Sequence, residues 1–290
     1  MQVGFIGLGS MGVEIAKNLQ SKHHLKVHNR TKSKASELIE MGSEFLSIPD
    51  LTQSCDLIFS MLFDDACLET TFKEICKVGK SNLIFMDLST CGPETTDRMY
   101  NLAKEYGITY LAGPVFGRPD AARSKMLVNL VAGDVNAKKV VMPYLKLIGR
   151  KVIDVGDDPS KANVCKLIGN FMIASQIEVL AEAHSMAEKC GINRGYVMDF
   201  VESMMPGRVI EGYGARIKAK DYQIKENQAG FGVNGGLKDV GLMKNLASTH
   251  DIHMPMLDIM LSHLSKVDKK DLDWSSLAES VEQQGFSKSQ

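Results

Sequence analysis

Several things are missing from this sequence, and each absence narrows what it can be. There is no charge imbalance: 34 Lys and Arg residues offset 35 Asp and Glu for a formal net charge of -1, so nothing draws the chain toward nucleic acid or an anionic membrane. Cys55, Cys67, Cys76, Cys91, Cys165 and Cys190 include no CxxC pair, which disfavours a zinc site or a disulfide framework and fits a reducing cytoplasm. Cys91 and Cys165 read as small buried apolar side chains. No apolar stretch approaches the roughly 20 residues of a membrane helix, and the opening MQVGFIGLGSMG lacks the basic leader of a secretory signal. The histidines carry no metal-ligand spacing: His23-His24 reads as a surface turn, and His184 and His253 stand apart. Internal repeats and low-complexity tracts are missing too, and 285–290 reads as a frayed tail.

What is present is ordinary globular material, with 290 residues of which 44% are hydrophobic and 24% charged, enough for two cores. Short apolar runs at 3–7, 25–28, 56–61, 83–88 and 108–111 alternate with amphipathic stretches at 11–21, 32–41, 66–77 and 93–106. That rhythm predicts an α/β, Rossmann-like doubly wound parallel sheet. Runs at 126–132 and 151–155, around a helix at 137–147, extend the same sheet. Beyond Gly156 the rhythm stops. One long apolar-rich helix at 160–189 is predicted, ended by Cys190-Gly191, followed by helices at 196–203, 237–250, 256–267 and 274–283. The division is therefore a nucleotide-binding domain over 1–158 and an all-helical domain over 159–290.

Directly after the first strand comes Gly7-Leu8-Gly9-Ser10-Met11-Gly12, leading into a helix. Gly7 permits a tight turn, Gly9 lets the backbone approach a pyrophosphate, Gly12 lets helix and strand pack closely, and the helix start supplies free N–H groups. This predicts a dinucleotide site. The second strand ends in His28-Asn29-Arg30-Thr31-Lys32-Ser33-Lys34, with no carboxylate to accept from a ribose 2′-hydroxyl. Arg30 can grip a 2′-phosphate, Asn29 and Thr31 can donate to it, and Lys32 or Lys34 adds charge. The expected cofactor is NADP; a solvated basic turn capping the next helix is the alternative.

Four further segments carry a resemblance: Asp87-Leu88-Ser89-Thr90-Cys91-Gly92-Pro93, Gly113-Pro114-Val115-Phe116-Gly117-Arg118-Pro119, Lys166-Leu167-Ile168-Gly169-Asn170, and Leu237-Lys238-Asp239-Val240. With the glycine loop they make the chain resemble the β-hydroxyacid dehydrogenase family over nearly its whole length. That family includes 3-hydroxyisobutyrate dehydrogenase and the glyoxylate and succinic semialdehyde reductases. The resemblance implies that Lys166 is the general acid and base, with Asn170, one helical turn away, holding lysine and substrate. It assigns Met61, Leu62, Thr90 and Lys238 to the cofactor and Ser89, Phe116, Gly117, Arg118 and Asp239 to the substrate. Ser89 and Thr90 before a helix-starting proline also suit capping, and the Lys238–Asp239 pair also suits a helix surface. In the family's P-V-S-G-G loop a serine and backbone amides cradle a carboxylate; here Phe116 replaces the serine and Arg118 the second glycine. Arg118 either clamps an acid or points outward, and Phe116 narrows the pocket or favours an apolar group.

The implied activity is hydride transfer between NADP(H) and a small hydroxyacid or semialdehyde. Imine reduction is the nearer alternative, although imine reductases usually lack this lysine; a non-catalytic NADP-binding protein is the distant one. Met204, Met205, Phe231 and Asn234 are candidates for the outer end of the substrate site. The long helix carries apolar surface at Ile168, Phe171, Ile177, Val179, Leu180 and Met186 beyond what one small domain covers, which predicts a homodimer. Nucleic acid and membrane are not expected partners.

Overall fold

The computed structural model describes residues 1–204, 207–224, 230–249, 251–268 and 271–283, and not the side chains of residues 185, 186 and 208–210. The expected tail at 285–290, His250 at the end of one expected helix, Met205 and the Met186 side chain lie outside the described residues. The chain divides into two compact units, Met1–Lys166 and Leu167–Gln290. The division falls inside the long helix rather than at its start.

The first unit alternates strands and helices: β1 (Val3–Ile6), α1 (Ser10–Gln20), β2 (Leu25–His28), α2 (Ser36–Glu40), β3 (Glu44–Phe45), α3 (Ile48–Ser54), β4 (Leu57–Ser60), α4 (Asp65–Lys77), β5 (Ile84–Asp87), α5 (Pro93–Glu105), β6 (Thr109–Ala112), β7 (Val115–Phe116), α6 (Pro119–Arg123), β8 (Leu127–Ala132), α7 (Val135–Ile148) and β9 (Gly149–Gly156). The strand order is β3-β2-β1-β4-β5-β6-β8-β7, with β9 beside β8. Every pairing from β3 through β6 is parallel, and the β6–β8 and β7–β8 pairings are antiparallel. The order reverses between β1 and β4, the switch point where an open α/β sheet leaves a crevice at its strand ends.

Both faces of this sheet are covered, so its strands are apolar on successive residues rather than alternately. Val3, Phe5, Leu57, Phe59 and Met86 enter one core with Ile15 and Leu19 of α1. Ile6, Ile58, Phe85 and Tyr110 enter the other with Leu68, Phe72 and Ile75 of α4. Phe5, Phe59 and Phe85 are fully buried, each contributing about 2–3 kcal/mol of apolar transfer.

The second unit is helical. α8 (Pro159–Lys189) runs into it and is followed by α9 (Arg194–Met204), α10 (Arg208–Ala219), α11 (Val233–Thr249), α12 (Pro255–Lys266) and α13 (Leu277–Gln283). Their shared core includes Ile177, Leu180, Met198, Tyr213, Val240, Met260 and Trp274. Trp274 meets Phe231 and Tyr213 edge-on at centroid distances of 5.0 and 5.9 Å, a favoured aromatic geometry. α10 was not expected from the sequence: Gly212 and Gly214 lower its helix propensity, and packing against α9 overrides that. Two-residue strands such as β3 and β7 leave no periodic signal.

One expectation is corrected by α8. It is 31 residues long, an 18-residue window within it reaches mean hydropathy 1.4, and by length and composition alone it could cross a membrane. Lys166, Asn170 and Glu178 interrupt the apolar run, which is why the sequence shows no continuous stretch. The helix carries these polar groups buried, as a core helix does.

Candidate active site

The site begins where β1 turns into α1. Gly7 has φ +96°, and a Cβ there would stand 2.3 Å from the Met61 carbonyl oxygen; one on Gly12 would stand 1.9 Å from that of Gly7. Both positions exclude any side chain. A Cβ on Gly9 would meet nothing within 4 Å, so the loop has the open cradle that a pyrophosphate needs, above a helix start with no side-chain cap. The residues present fit a dinucleotide.

Two candidates act differently from the simplest reading. Leu8 is buried, and its N–H donates to Asn29 Oδ1 at 2.9 Å, while Asn29 Nδ2 donates to the Thr31 carbonyl at 2.9 Å. Asn29 therefore braces the glycine loop against the end of β2, with one N–H left over. Arg30, Thr31 and Lys34 are exposed. Lys34 lines a recess of about 240 Å3 together with Leu8, Gly9, Ser10, Val13, Ser33, Ser36 and Glu37. Of these, Val13, Ser33, Ser36 and Glu37 were not among the sequence candidates. Glu37 is an acid in that recess, but Lys17 pairs with it and holds its carboxyl below the usual range. Lys32 turns away, its ammonium 5.3 Å from the Phe45 ring centroid.

At the neighbouring strand ends, Asp64 caps α4 by accepting from the Cys67 N–H at 2.8 Å. Asp65 accepts from the Gly92 N–H at 3.1 Å and the Thr95 hydroxyl at 2.9 Å, tying the start of α4, just past the loop after β4, to the start of α5. Met61 and Leu62 lie half-buried in that loop.

Ser89 is a correction. It is fully buried; its hydroxyl donates to Asp87 Oδ1 at 2.6 Å and accepts from the Leu62 N–H at 2.8 Å. Its only hydroxyl proton is committed inside the sheet, so Ser89 holds the loop rather than donating to a substrate. Thr90 is half-buried beside it.

Lys166 is 8% exposed, and its ammonium lies 4.1 Å from the centroid of the Phe116 ring at the end of β7. The start of α8 is fixed by a residue the sequence reading passed over. Asn163 is fully buried, accepts from the Cys91 N–H at 3.2 Å and donates to the Thr96 hydroxyl at 2.8 Å. Its spacing of three from Lys166, on the same helix face, was the available signal. Just upstream, the buried Lys138 donates to Asp154 at 2.8 Å, the Gly156 carbonyl at 3.0 Å and Asp157 at 3.0 Å. Burial alone would lower its pKa, but the two carboxylates outweigh that and raise it. Gly117 is exposed and Arg118 half-buried at the start of α6.

In the second unit, Asn170 Nδ2 donates to Asp239 Oδ2 at 2.6 Å, and Lys238 pairs with Asp239 Oδ1 at 3.0 Å. Asn170 and Asp239 are both buried, so this trio is no loose surface pair. Phe231 is half-buried, and Met204 and Asn234 are exposed.

Residues 2–156 match the model of the NAD binding domain of 6-phosphogluconate dehydrogenase, and residues 160–281 match that of the NAD-binding domain of NADP-dependent 3-hydroxyisobutyrate dehydrogenase. An uncharacterized oxidoreductase of Bacillus subtilis, YfjR, is 32% identical over 289 residues, covering 97% of this chain and 100% of the relative. Glyoxylate/succinic semialdehyde reductase 1 of Arabidopsis thaliana is 28% identical over 97% of this chain and 98% of its own length. Among solved structures, Mycobacterium tuberculosis 3-hydroxyisobutyrate dehydrogenase with L-serine superposes with a TM-score of 0.87 at 22% identity, over 97% of this chain and 99% of that one. That last likeness speaks for the fold.

Proposed function

The chain belongs to the β-hydroxyacid dehydrogenase family and is an NAD(P)-dependent oxidoreductase of that type, and we propose that it uses NADP and Lys166 to interconvert a small hydroxyacid and its semialdehyde or related carbonyl compound. When bound, the dinucleotide supplies or takes the hydride. The uncapped start of α1 and the open face of Gly9 would hold the pyrophosphate, with Arg30, Thr31 and Lys34 around a 2′-phosphate. Met61, Leu62 and Thr90 would border the nicotinamide end, and by family resemblance Lys238 is also assigned to the cofactor.

In reduction, the Lys166 ammonium donates a proton to the carbonyl oxygen as the carbon gains hydride; in oxidation, the amine takes the hydroxyl proton back. Asn170, with Asp239 behind it, would orient the reacting oxygen. Phe116, Gly117 and Arg118 would shape the substrate end. The observation that carries this reading is the near-complete burial of Lys166, a cost that a solvent-facing helix lysine avoids. Incubating the protein with NADPH or NADH and either glyoxylate or succinic semialdehyde tests it: NADPH-dependent carbonyl reduction supports the proposal, and absence of turnover in both directions across hydroxyacids and semialdehydes refutes it.

The assembly we propose is a homodimer in a reducing cytoplasm. Ile177 and Leu180 are buried within their own unit, contrary to the expectation that they are uncovered. Ile168, Met172 and Val179, at 55%, 57% and 57% exposure, still form one apolar stripe on α8, and Tyr196, Phe200 and Met204 form another on α9. Sedimentation as a monomer at micromolar concentration would contradict the dimer.

A further inference from the structure

Asp87, the last residue of β5, is fully buried, and the proton path above does not use it. Its Oδ1 accepts from the Ser60 hydroxyl at 2.8 Å, the Ser89 hydroxyl at 2.6 Å and the Ser89 N–H at 3.2 Å, and its Oδ2 accepts from the Tyr110 hydroxyl at 3.4 Å. Four donors converging on two oxygens is the surrounding of an ionised carboxylate. Burial pushes its pKa up, and what chiefly opposes this is hydrogen bonding from neutral groups, the Ser89, Ser60 and Tyr110 hydroxyls and the Ser89 N–H. An ionised group taken out of water is costly unless an opposite charge answers it. Among the described residues the hydrogen-bond partners of Asp87 are Ser60, Ser89 and Tyr110, and none of them is a cation.

Its place in the sheet says where that charge would come from. Ile6, Ser60, Asp87 and Ala112 are level with one another across β1, β4, β5 and β6. Asp87 therefore lies two strands, or about 10 Å, from the start of the glycine loop, beneath the strand ends where an open parallel sheet holds its ligand. One hydroxyl, that of Ser89, separates it from the Leu62 amide in the loop after β4.

We propose that Asp87 is an electrostatic positioning residue that discriminates between the redox forms of the nicotinamide: its buried negative charge is matched by the positive charge that the oxidised ring carries and the reduced ring lacks. This rests on the reading that these strand ends bind a nicotinamide dinucleotide. The charge stabilises bound NADP+ relative to bound NADPH, and so tilts the bound equilibrium toward hydride delivery to the carbonyl compound.

The test compares dissociation constants for NADP+ and NADPH in the wild type, D87N and Y110F, with NADPH followed by its fluorescence and NADP+ by competition. Asp87→Asn keeps the size, removes the charge and exchanges one acceptor oxygen for an N–H donor; Tyr110→Phe removes one of the hydrogen bonds and keeps the charge. Expected is a loss of NADP+ affinity relative to NADPH of about tenfold in D87N, with the ratio in Y110F within about twofold of wild type. A second measurement needs no variant: between low and high salt both wild-type affinities fall, but their ratio holds, because a buried charge is not screened. A folded D87N binding both forms with the wild-type ratio overturns the inference and leaves the dinucleotide site standing, as does a wild-type ratio that collapses in salt. Failure of the wild type to bind either form overturns the inference together with the reading beneath it.

Discussion

The Lys166 ammonium rests on the face of the Phe116 ring, 4.1 Å from its centroid. A cation held against an aromatic face away from water gains about 1–2 kcal/mol, and the flexible lysine stem is thereby confined to one side of the ring. Phe116→Leu keeps the apolar volume and loses this hold. We expect kcat to fall about tenfold in that variant with NADPH affinity unchanged and Phe116→Tyr close to wild type, as read by steady-state kinetics and NADPH titration.

The glycine loop separates folding from binding. Gly9 has φ −73° and open space around it, so Gly9→Ala should leave the melting temperature within a degree or two while weakening NADPH binding at least about tenfold by crowding the pyrophosphate. Gly12→Ala forces a methyl onto the Gly7 carbonyl and should lower stability by about 2–3 kcal/mol. Thermal unfolding alongside fluorescence titration distinguishes the two.

Cofactor choice is assigned to the exposed turn after β2. Arg30→Glu replaces the proposed phosphate grip by repulsion, so kcat/KM for NADPH should drop about 10–100-fold while that for NADH stays level or rises. Equal losses with both cofactors would remove Arg30 from the discrimination.

A pH-dependent stability follows from the helical unit. His184 is fully buried and neither ring nitrogen has a hydrogen-bond partner among the described residues; burial first, then the nearby Arg194, lowers its pKa to about 4. The unfolded chain therefore binds a proton near pH 6.5 that the folded chain refuses until about pH 4. The sign is that stability is complete above about pH 6.5 and declines as pH falls through that window, by up to roughly 3 kcal/mol. His184→Gln should flatten that part of the urea-unfolding profile measured from pH 7 to 4.

Much of this was legible in the sequence, and the reasons differ by residue. Gly7 and Gly12 are readable because their backbone positions admit no side chain, and Gly9 because a ligand must approach the backbone there. Lys166 and Asn170 are readable from their spacing within an apolar helix. The direction of a hydrogen bond is not written in a motif: Ser89 and Asn29 have the right chemistry for a ligand, yet they are turned inward to Asp87, Leu62 and Leu8. Contacts between distant segments were equally hidden, among them Asn163 with Cys91 and Thr96 and Lys166 with Phe116. The glycine-bearing α10 needed its tertiary neighbours before it could be recognised as a helix.

The central claim is that Lys166 moves the proton that accompanies hydride transfer, and single-turnover oxidation of saturating NADPH by Lys166→Ala tests it most directly. With a carbonyl substrate that the wild type turns over, the account predicts a rate loss of about 10²–10⁴-fold, with the NADPH dissociation constant within about twofold of wild type. A Lys166→Ala protein that oxidises NADPH at the wild-type rate would contradict it.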